Sequence, residues 1–369
     1  MNKELGKLNR IELAGYKSIR RMDLEMMSLN VLIGANGSGK SNFISFFRMM
    51  NHIVNRDFQS FVAHQRGADK LFYFGRKQTR EITTHLRFKP NGYFCCLKSN
   101  TAGGLFFEEE YCEFFGDEIG YGGGEKKYPL AEIGARETAL PKQPNLTKPP
   151  GHVTGYLRDW KVYHFHDTSE SSALRRPART ADNDYLHTNG ENLPAFLYLL
   201  QEAEPQAFQE IEYHIERIAP FFQGFDLRPD RANEEQIRLR WKHHGTDRYF
   251  DAVDLSDGTL RFIALTTLLL QPDPPSAIIL DEPELGLHPF AIHLLADMMR
   301  SVSDRTQIIA ATQSVTFANQ FNWPDLVVVD REKQASSFRR LSEDEVKSWM
   351  DDYAMGDLWE KNLIGGRPR

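Results

Sequence analysis

An apolar run, Leu29-Asn30-Val31-Leu32-Ile33, leads directly into Gly34-Ala35-Asn36-Gly37-Ser38-Gly39-Lys40-Ser41. The octapeptide fits the spacing G-x-x-x-x-G-K-[ST], which requires a buried strand that turns sharply into a helix. Glycine is needed in such a loop because the backbone must curl until successive N–H groups point inward at an anion, where a Cβ would collide or forbid positive φ. The helix that follows, opening Asn42-Phe43-Ile44-Ser45-Phe46-Phe47, aims the positive end of its dipole at the same point. Asn36, Gly37, Ser38, Gly39, Lys40, Ser41 and Asn42 are therefore expected to cradle the phosphates of ATP. Lys40 would supply a point charge for the β- and γ-phosphates, and the Ser41 hydroxyl a ligand for Mg²⁺.

A second stretch fits the first. Ala277-Ile278-Ile279-Leu280 reads as a strand buried on both faces and ends in Asp281-Glu282-Pro283, the arrangement expected where α/β sheets present ligand-binding groups. Asp281 is expected to hold Mg²⁺ through water, and Glu282 to orient or deprotonate an attacking water. Between these stretches lies Leu255-Ser256-Asp257-Gly258-Thr259-Leu260-Arg261, ahead of an apolar helix. Ser256 suits an N-cap and Gly258 permits close approach of backbone to phosphate, which makes this helix start a second candidate anion site.

The heptapeptide resembles the LSGGQ signature of ABC-type ATPases, in the form found in RecF-like and SMC-like members. Ile11 to Ile19, Gly34 to Asn42, Asp281 to Pro289, Gln307 to Ser314 and the tail Met355 to Pro368 are similar to the same group, the compact predicted ATPases related to the OLD family. The resemblance implies an α/β P-loop NTPase with a mixed sheet, an antiparallel β subdomain and a helical signature lobe. It implies one head over residues 1–369: a lobe at 1–115 with the phosphate loop, an insertion at 116–190 in place of a coiled-coil arm, and a lobe at 191–369 with the signature, Asp281 and the switch strand.

Carried onto single positions, the resemblance makes Glu284 to His288 a D-loop. It places Lys17 at a phosphate-contacting basic position and Gln78 at the Q-loop glutamine that touches Mg²⁺ and the attacking water. Gln313 stands where ABC ATPases commonly carry a switch histidine. Glutamine can hydrogen-bond a γ-phosphate oxygen and a water but carries no proton charge near neutral pH, which suits slow turnover. The expected assembly is a head-to-tail homodimer in which each chain gives Ser256 and Gly258 to the other's ATP. DNA, or a separate nuclease or effector protein, is the expected partner, in DNA repair or antiviral defence. A nucleotide-dependent scaffold and a transporter ATP-binding subunit are the competing readings. No C-terminal nuclease domain of the full-length OLD kind is recognised in the sequence.

Composition sets the setting. A formal net charge of −6 gives no overall drive toward nucleic acid or anionic lipid, although a local basic face remains open. Cys95, Cys96 and Cys112 form no C-x-x-C, and three cysteines suit a reduced cytoplasmic compartment. No apolar run approaches membrane-spanning length and the start lacks a signal-peptide core. Tyr121 to Lys127 reads as a flexible loop and Pro141 to Gly151 as a linker. His164, His166 and Asp167 read as structural, and Arg175, Arg176 and Arg179 as a solvated basic loop or a contact for DNA, a partner or a phosphate. Asn192 is expected to cap a helix from Leu193 to Leu200, with another over Gln206 to Ile218.

Overall fold

The computed structural model describes residues 6–101, 103–119, 124–349 and 352–366. Two compact units emerge, residues 1–161 with 275–279 and 305–369, and residues 162–274 with 280–304. The chain passes between them within the strands Trp160–Tyr163 and Ala277–Asp281.

The first unit holds two sheets. One is antiparallel, its six strands ordered Ile19–Glu25, Leu8–Tyr16, Glu81–Phe88, Asn91–Ser99, Leu105–Phe115 and Glu125–Pro129. Burial in Glu81–Phe88 alternates residue by residue, as a strand with one packed and one wet face requires. The other sheet has the order Ala335–Arg340, Leu326–Glu332, Leu29–Ile33, Gln307–Thr312, Ala277–Asp281, Trp160–Tyr163. Leu29–Ile33 is buried at all five positions and lies parallel to both neighbours, with Ile33 beside Thr312 and Val328. The run, apolar but for the buried Asn30, is thus a central strand covered on both faces.

Polar side chains join the two sheets. The amide of Gln307, 1% exposed, accepts from Leu8 N at 3.2 Å and donates to the Leu8 and Met27 carbonyls at 2.8 Å each. Arg340 donates to Glu25 O (2.8 Å), Pro324 O (2.9 Å) and Asn30 Oδ1. Against the neighbouring strand Gln307–Thr312 lies the helix Lys40–Val54, whose Phe43, Phe46 and Phe47 are fully buried. Phe43 and Phe47 meet edge to face at 5.2 Å, and Phe47 meets Trp160 at 5.1 Å.

In the second unit the helices Leu193–Ala203, Pro205–Ile218, Asp257–Leu270 and Pro289–Val302 accompany a three-stranded sheet, ordered Phe222–Phe225, Arg240–His243, Tyr249–Asp251. Asp257–Leu270 is buried from Leu260 to Leu269, and such an all-round apolar helix belongs in a core.

Several expectations need correction. Asn192 occupies the N-cap position, but its side chain makes no cap bond. Its Oδ1, the atom that could cap, instead accepts from His187 N at 2.8 Å while Nδ2 donates to the Asp182 and Tyr185 carbonyls, and Pro194 at the second helical position has no N–H to offer. The expected linker ends inside a helix, Pro149–Arg158, that starts on two prolines, where their fixed φ is an asset. Glu125 to Lys127 belong to a strand, while residues 121–123 of that expected loop lie outside the described residues.

Candidate active site

The phosphate-loop motif forms the turn its glycines demand. Gly37 (φ 77°) and Gly39 (φ 122°) are left-handed. A Cβ on Gly39 would stand 2.0 Å from Ser336 Oγ, whereas one on Gly37 would meet nothing within 4 Å. Gly39 is thus glycine for packing and conformation, and Gly37 for conformation beside open space. Lys40 begins the helix, 5% exposed, and its Nζ donates to Gly34 O (2.5 Å) and Ala35 O (3.0 Å). Asn36, Gly37 and Ser41 are exposed, and Asn42 Nδ2 donates to Ser18 Oγ at 2.7 Å. These features fit a triphosphate: a helix N-terminus, a curled backbone with room outside Gly37, and an ammonium resting on loop carbonyls that anionic oxygens would replace.

Supports from the far end of the chain complete the loop. Ser336 Oγ donates to Ser38 O at 2.5 Å, 298 residues away, and shares a 2.7 Å hydrogen bond with Ser18 Oγ. Arg331 Nη1 donates to Gly37 O at 3.2 Å, and Ala35 N to Gly366 O at 2.9 Å. Sequence reading missed all three as supports: the hairpin Leu326–Arg340 brings in Ser336 and Arg331, the segment after the helix Met355–Glu360 brings in Gly366, and no local pattern marks their contact with the loop.

Beside the loop lies a cleft of about 570 Å³ lined by Lys17, Ser18, Asn42, Gln65, Phe74 and Arg331, among others. Lys17, itself left-handed at φ 48°, donates Nζ to Ser45 Oγ (2.6 Å) and Gln65 Oε1 (3.3 Å). Ser45 stands one helical turn beyond Ser41, which places Lys17 along the same helix face. Burial, helped by the positive charge of Arg48, lowers the Lys17 ammonium to about 8. Gln313 is exposed and follows Thr312, the residue abreast of Ile33, so it stands level with the start of the loop. Gln78 is not in this company; it lines a second cleft with Arg20, Tyr73 and Arg80.

In the second unit, Asp281 and Glu282 are half-buried. They share a narrow cleft with His166, Tyr163 and Arg261. Glu282 is left-handed at φ 43°, a conformation that costs a non-glycine residue about 1–2 kcal/mol and is retained mainly where surroundings impose it. Ser256 caps the signature helix, accepting from Thr259 N at 3.2 Å. A Cβ on Gly258 would stand 2.5 Å from Gly286 O, so the signature glycine packs directly on the segment 284–288.

Arg261, the last residue of the heptapeptide, holds this unit's site together. It is 5% exposed and donates Nε to Phe165 O and Nη2 to His166 O, both at 2.8 Å. Burial lowers its pKa from the usual arginine value, opposed by Asp257 and Glu284. Arg175 corrects the reading of a solvated loop. It donates Nη2 to Asp257 Oδ1 at 2.8 Å, Nε to Thr168 O at 2.8 Å and Nη1 to Ala252 O, and is thus spent on the signature turn.

The family model "AAA domain, putative AbiEii toxin, Type IV TA system" matches residues 29–112 and 151–319, more than half of the chain. The chain belongs to this AAA-domain family. No curated protein matches it. Among solved structures, this AAA-domain chain is similar to an SMC head bound to the C-winged helix domain of ScpA, at 14% identity and a TM-score of 0.56, covering 92% of this chain and 99% of that one. An SMC head with an extended coiled coil from Pyrococcus furiosus, bound to the C-terminal domain of ScpA, matches at 13% identity and a TM-score of 0.51, over 94% and 98% of the two chains. The AAA-domain chain therefore has the fold of an ABC/SMC-like P-loop ATPase. Among its described residues, no helix is long and apolar enough to cross a membrane.

Proposed function

We propose that this chain binds and hydrolyses ATP with Mg²⁺ at the phosphate loop, and that ATP closes two heads into a head-to-tail homodimer. The observation that carries the reading is the pair of left-handed glycines, Gly37 and Gly39, curling the chain from a fully buried strand into the helix headed by Lys40. A bare structural turn needs neither the lysine nor the open space outside Gly37.

In this reading Asn36 to Asn42 hold the β- and γ-phosphates by backbone N–H groups, with the Lys40 ammonium and Lys17 as charges. Ser41 and Asp281 would hold Mg²⁺, which when bound neutralises developing charge on the phosphates. Glu282 orients or deprotonates the water, and Gln313 hydrogen-bonds water and γ-phosphate. Gln78 lines a separate cleft, which weakens its assignment as a metal contact. Ser256 and Gly258 serve the partner's nucleotide.

The family description, with its toxin and type IV toxin–antitoxin wording, supports defence over repair. The SMC head matched above is bound to another protein, which supports a separate effector or nuclease partner, with DNA as a further partner and the cytoplasm as its compartment. A non-hydrolysing nucleotide-dependent scaffold is the second reading, favoured by an uncharged Gln313 at the switch position. Measurement of Mg·ATP turnover by the wild type and Glu282→Gln separates the two. Turnover abolished by Glu282→Gln is expected; no turnover in the wild type, with ATP still bound, selects the scaffold.

A further inference from the structure

Gln313 stands on a turn with little of its own to hold it. Thr312 Oγ1 accepts from Ser314 N at 2.9 Å, and Ser314 Oγ caps the helix Val315–Ala318 by accepting from Phe317 N at 3.2 Å. A helix of four residues is too short to persist alone, so its position has to come from whatever packs on it. That partner is the helix Met355–Glu360. Asn319 and Asp357 lock the two reciprocally: Asn319 Nδ2 donates to Asp357 Oδ1 at 3.0 Å, and Asp357 N donates to Asn319 Oδ1 at 3.1 Å. Gly356 lets them close, since a Cβ there would stand 2.3 Å from Val315 O and 2.7 Å from Asn319 Oδ1.

From this lock the chain runs on to the phosphate loop. Arg339 Nη2 donates to Ile364 O at 2.6 Å, Gly366 N donates to Asp330 Oδ2 at 3.3 Å, and Gly366 O takes the N–H of Ala35 at 2.9 Å. Gly366 is left-handed at φ 84°, and a Cβ on it would meet Trp359 Nε1 at 3.1 Å, so the loop end of the segment packs back on its own helix. We propose that residues 355–366 are a strap that sets Gln313 and the phosphate loop in one register, with Asn319 and Asp357 as positioning residues for both. One short, packed segment is bonded at both ends, so loosening either end is felt at the other. The proposal rests on the functional reading above, in which the loop holds the triphosphate and Gln313 meets the γ-phosphate. It adds the element that keeps those two groups aligned.

The test is a mutant cycle on the full chain, reading affinity for a fluorescent ATP analogue and turnover at saturating Mg·ATP. Asn319→Ala removes no group assigned to the nucleotide, yet it is expected to cut turnover about tenfold and to weaken the analogue about threefold, within the range by which residues between two sites alter their coupling. Asp357→Ala, which leaves the backbone half of the lock, should move both values the same way by less. The exchange Asn319→Asp/Asp357→Asn rebuilds the pair and should restore both. In a Gln313→Ala background, Asn319→Ala should lower turnover no further, because the lock acts on the chemistry through Gln313. Wild-type values in folded Asn319→Ala and Asp357→Ala, an equal fall in turnover with and without Gln313, or no recovery in the exchanged pair would overturn the proposal. If the wild type binds the analogue without hydrolysing ATP, affinity decides, and an unchanged affinity in Asn319→Ala rejects the strap. Failure of the functional reading looks different: the wild type then binds no analogue at all, and the strap falls with it.

Discussion

Lys40 and Lys17 approach the nucleotide cleft in different electrostatic states. Lys40 sits against two loop carbonyls, and truncating it removes charge-assisted hydrogen bonds worth about 1.5–3 kcal/mol each. Lys40→Ala should weaken ATP binding by at least about tenfold, measured by calorimetry, with an unchanged circular dichroism spectrum. Lys17 is a cation held near its own titration point, lowered to about 8 by burial and then by Arg48. Its folded value lies below the unfolded one, so the unfavourable effect of its charge on stability is complete below pH 8 and disappears as pH rises toward the usual lysine value. Its attraction for phosphate runs the other way, full below pH 8 and lost above. ATP affinity of the wild type should therefore fall as pH rises from 7 to 9.5, and Lys17→Met should flatten that profile. A Lys17→Met profile that follows the wild type would remove Lys17 from the site.

Elements were legible in the sequence where their reasons are local. A pentapeptide apolar but for Asn30, followed by glycines and lysine, spells out a central strand, tight turn and helix, and Ser256 announced its cap. The supports of that same turn were not legible. Ser336 and Arg331 reach it through a hairpin closed by two left-handed residues, Lys333 and Gln334, neither of them the glycine that would advertise such a turn, and Gly366 reaches it from the segment after the helix Met355–Glu360. Arg175 was misread for a related reason, since a run of arginines looks solvated until its acceptors, here loop carbonyls and Asp257, are in view. The clearest element-scale test is Arg340, whose three acceptors belong to Glu25, Asn30 and Pro324. Arg340→Ala should destabilise the fold by about 1–3 kcal/mol by leaving those acceptors unmet, read as a drop of several degrees in Tm. An unchanged Tm would mean that packing and the Gln307 hydrogen bonds hold these strands without Arg340.

For the whole molecule, assembly and turnover are one question. Glu282→Gln keeps the side chain's shape but removes the carboxylate, so ATP should persist and a dimer accumulate, seen by light scattering as a doubling of mass with Mg·ATP. Adding Ser256→Arg should restore the monomer, because a long cation then occupies the place meant for a partner's phosphate. No rise in mass for Glu282→Gln, or a rise that survives Ser256→Arg, rules out the shared-site assembly while leaving the ATPase fold intact.

The braces of the phosphate loop have an implication for how the protein comes into being. A ribosome delivers Gly34 to Ser41 early, yet the hydroxyl of Ser336 and the carbonyl of Gly366 that steady it emerge hundreds of codons later. A nascent or prematurely ended chain therefore carries the complete phosphate-loop motif without its braces. Nucleotide capture becomes a late event in the protein's maturation, one that waits until Gly366 has been synthesised and separates braced heads from shorter fragments.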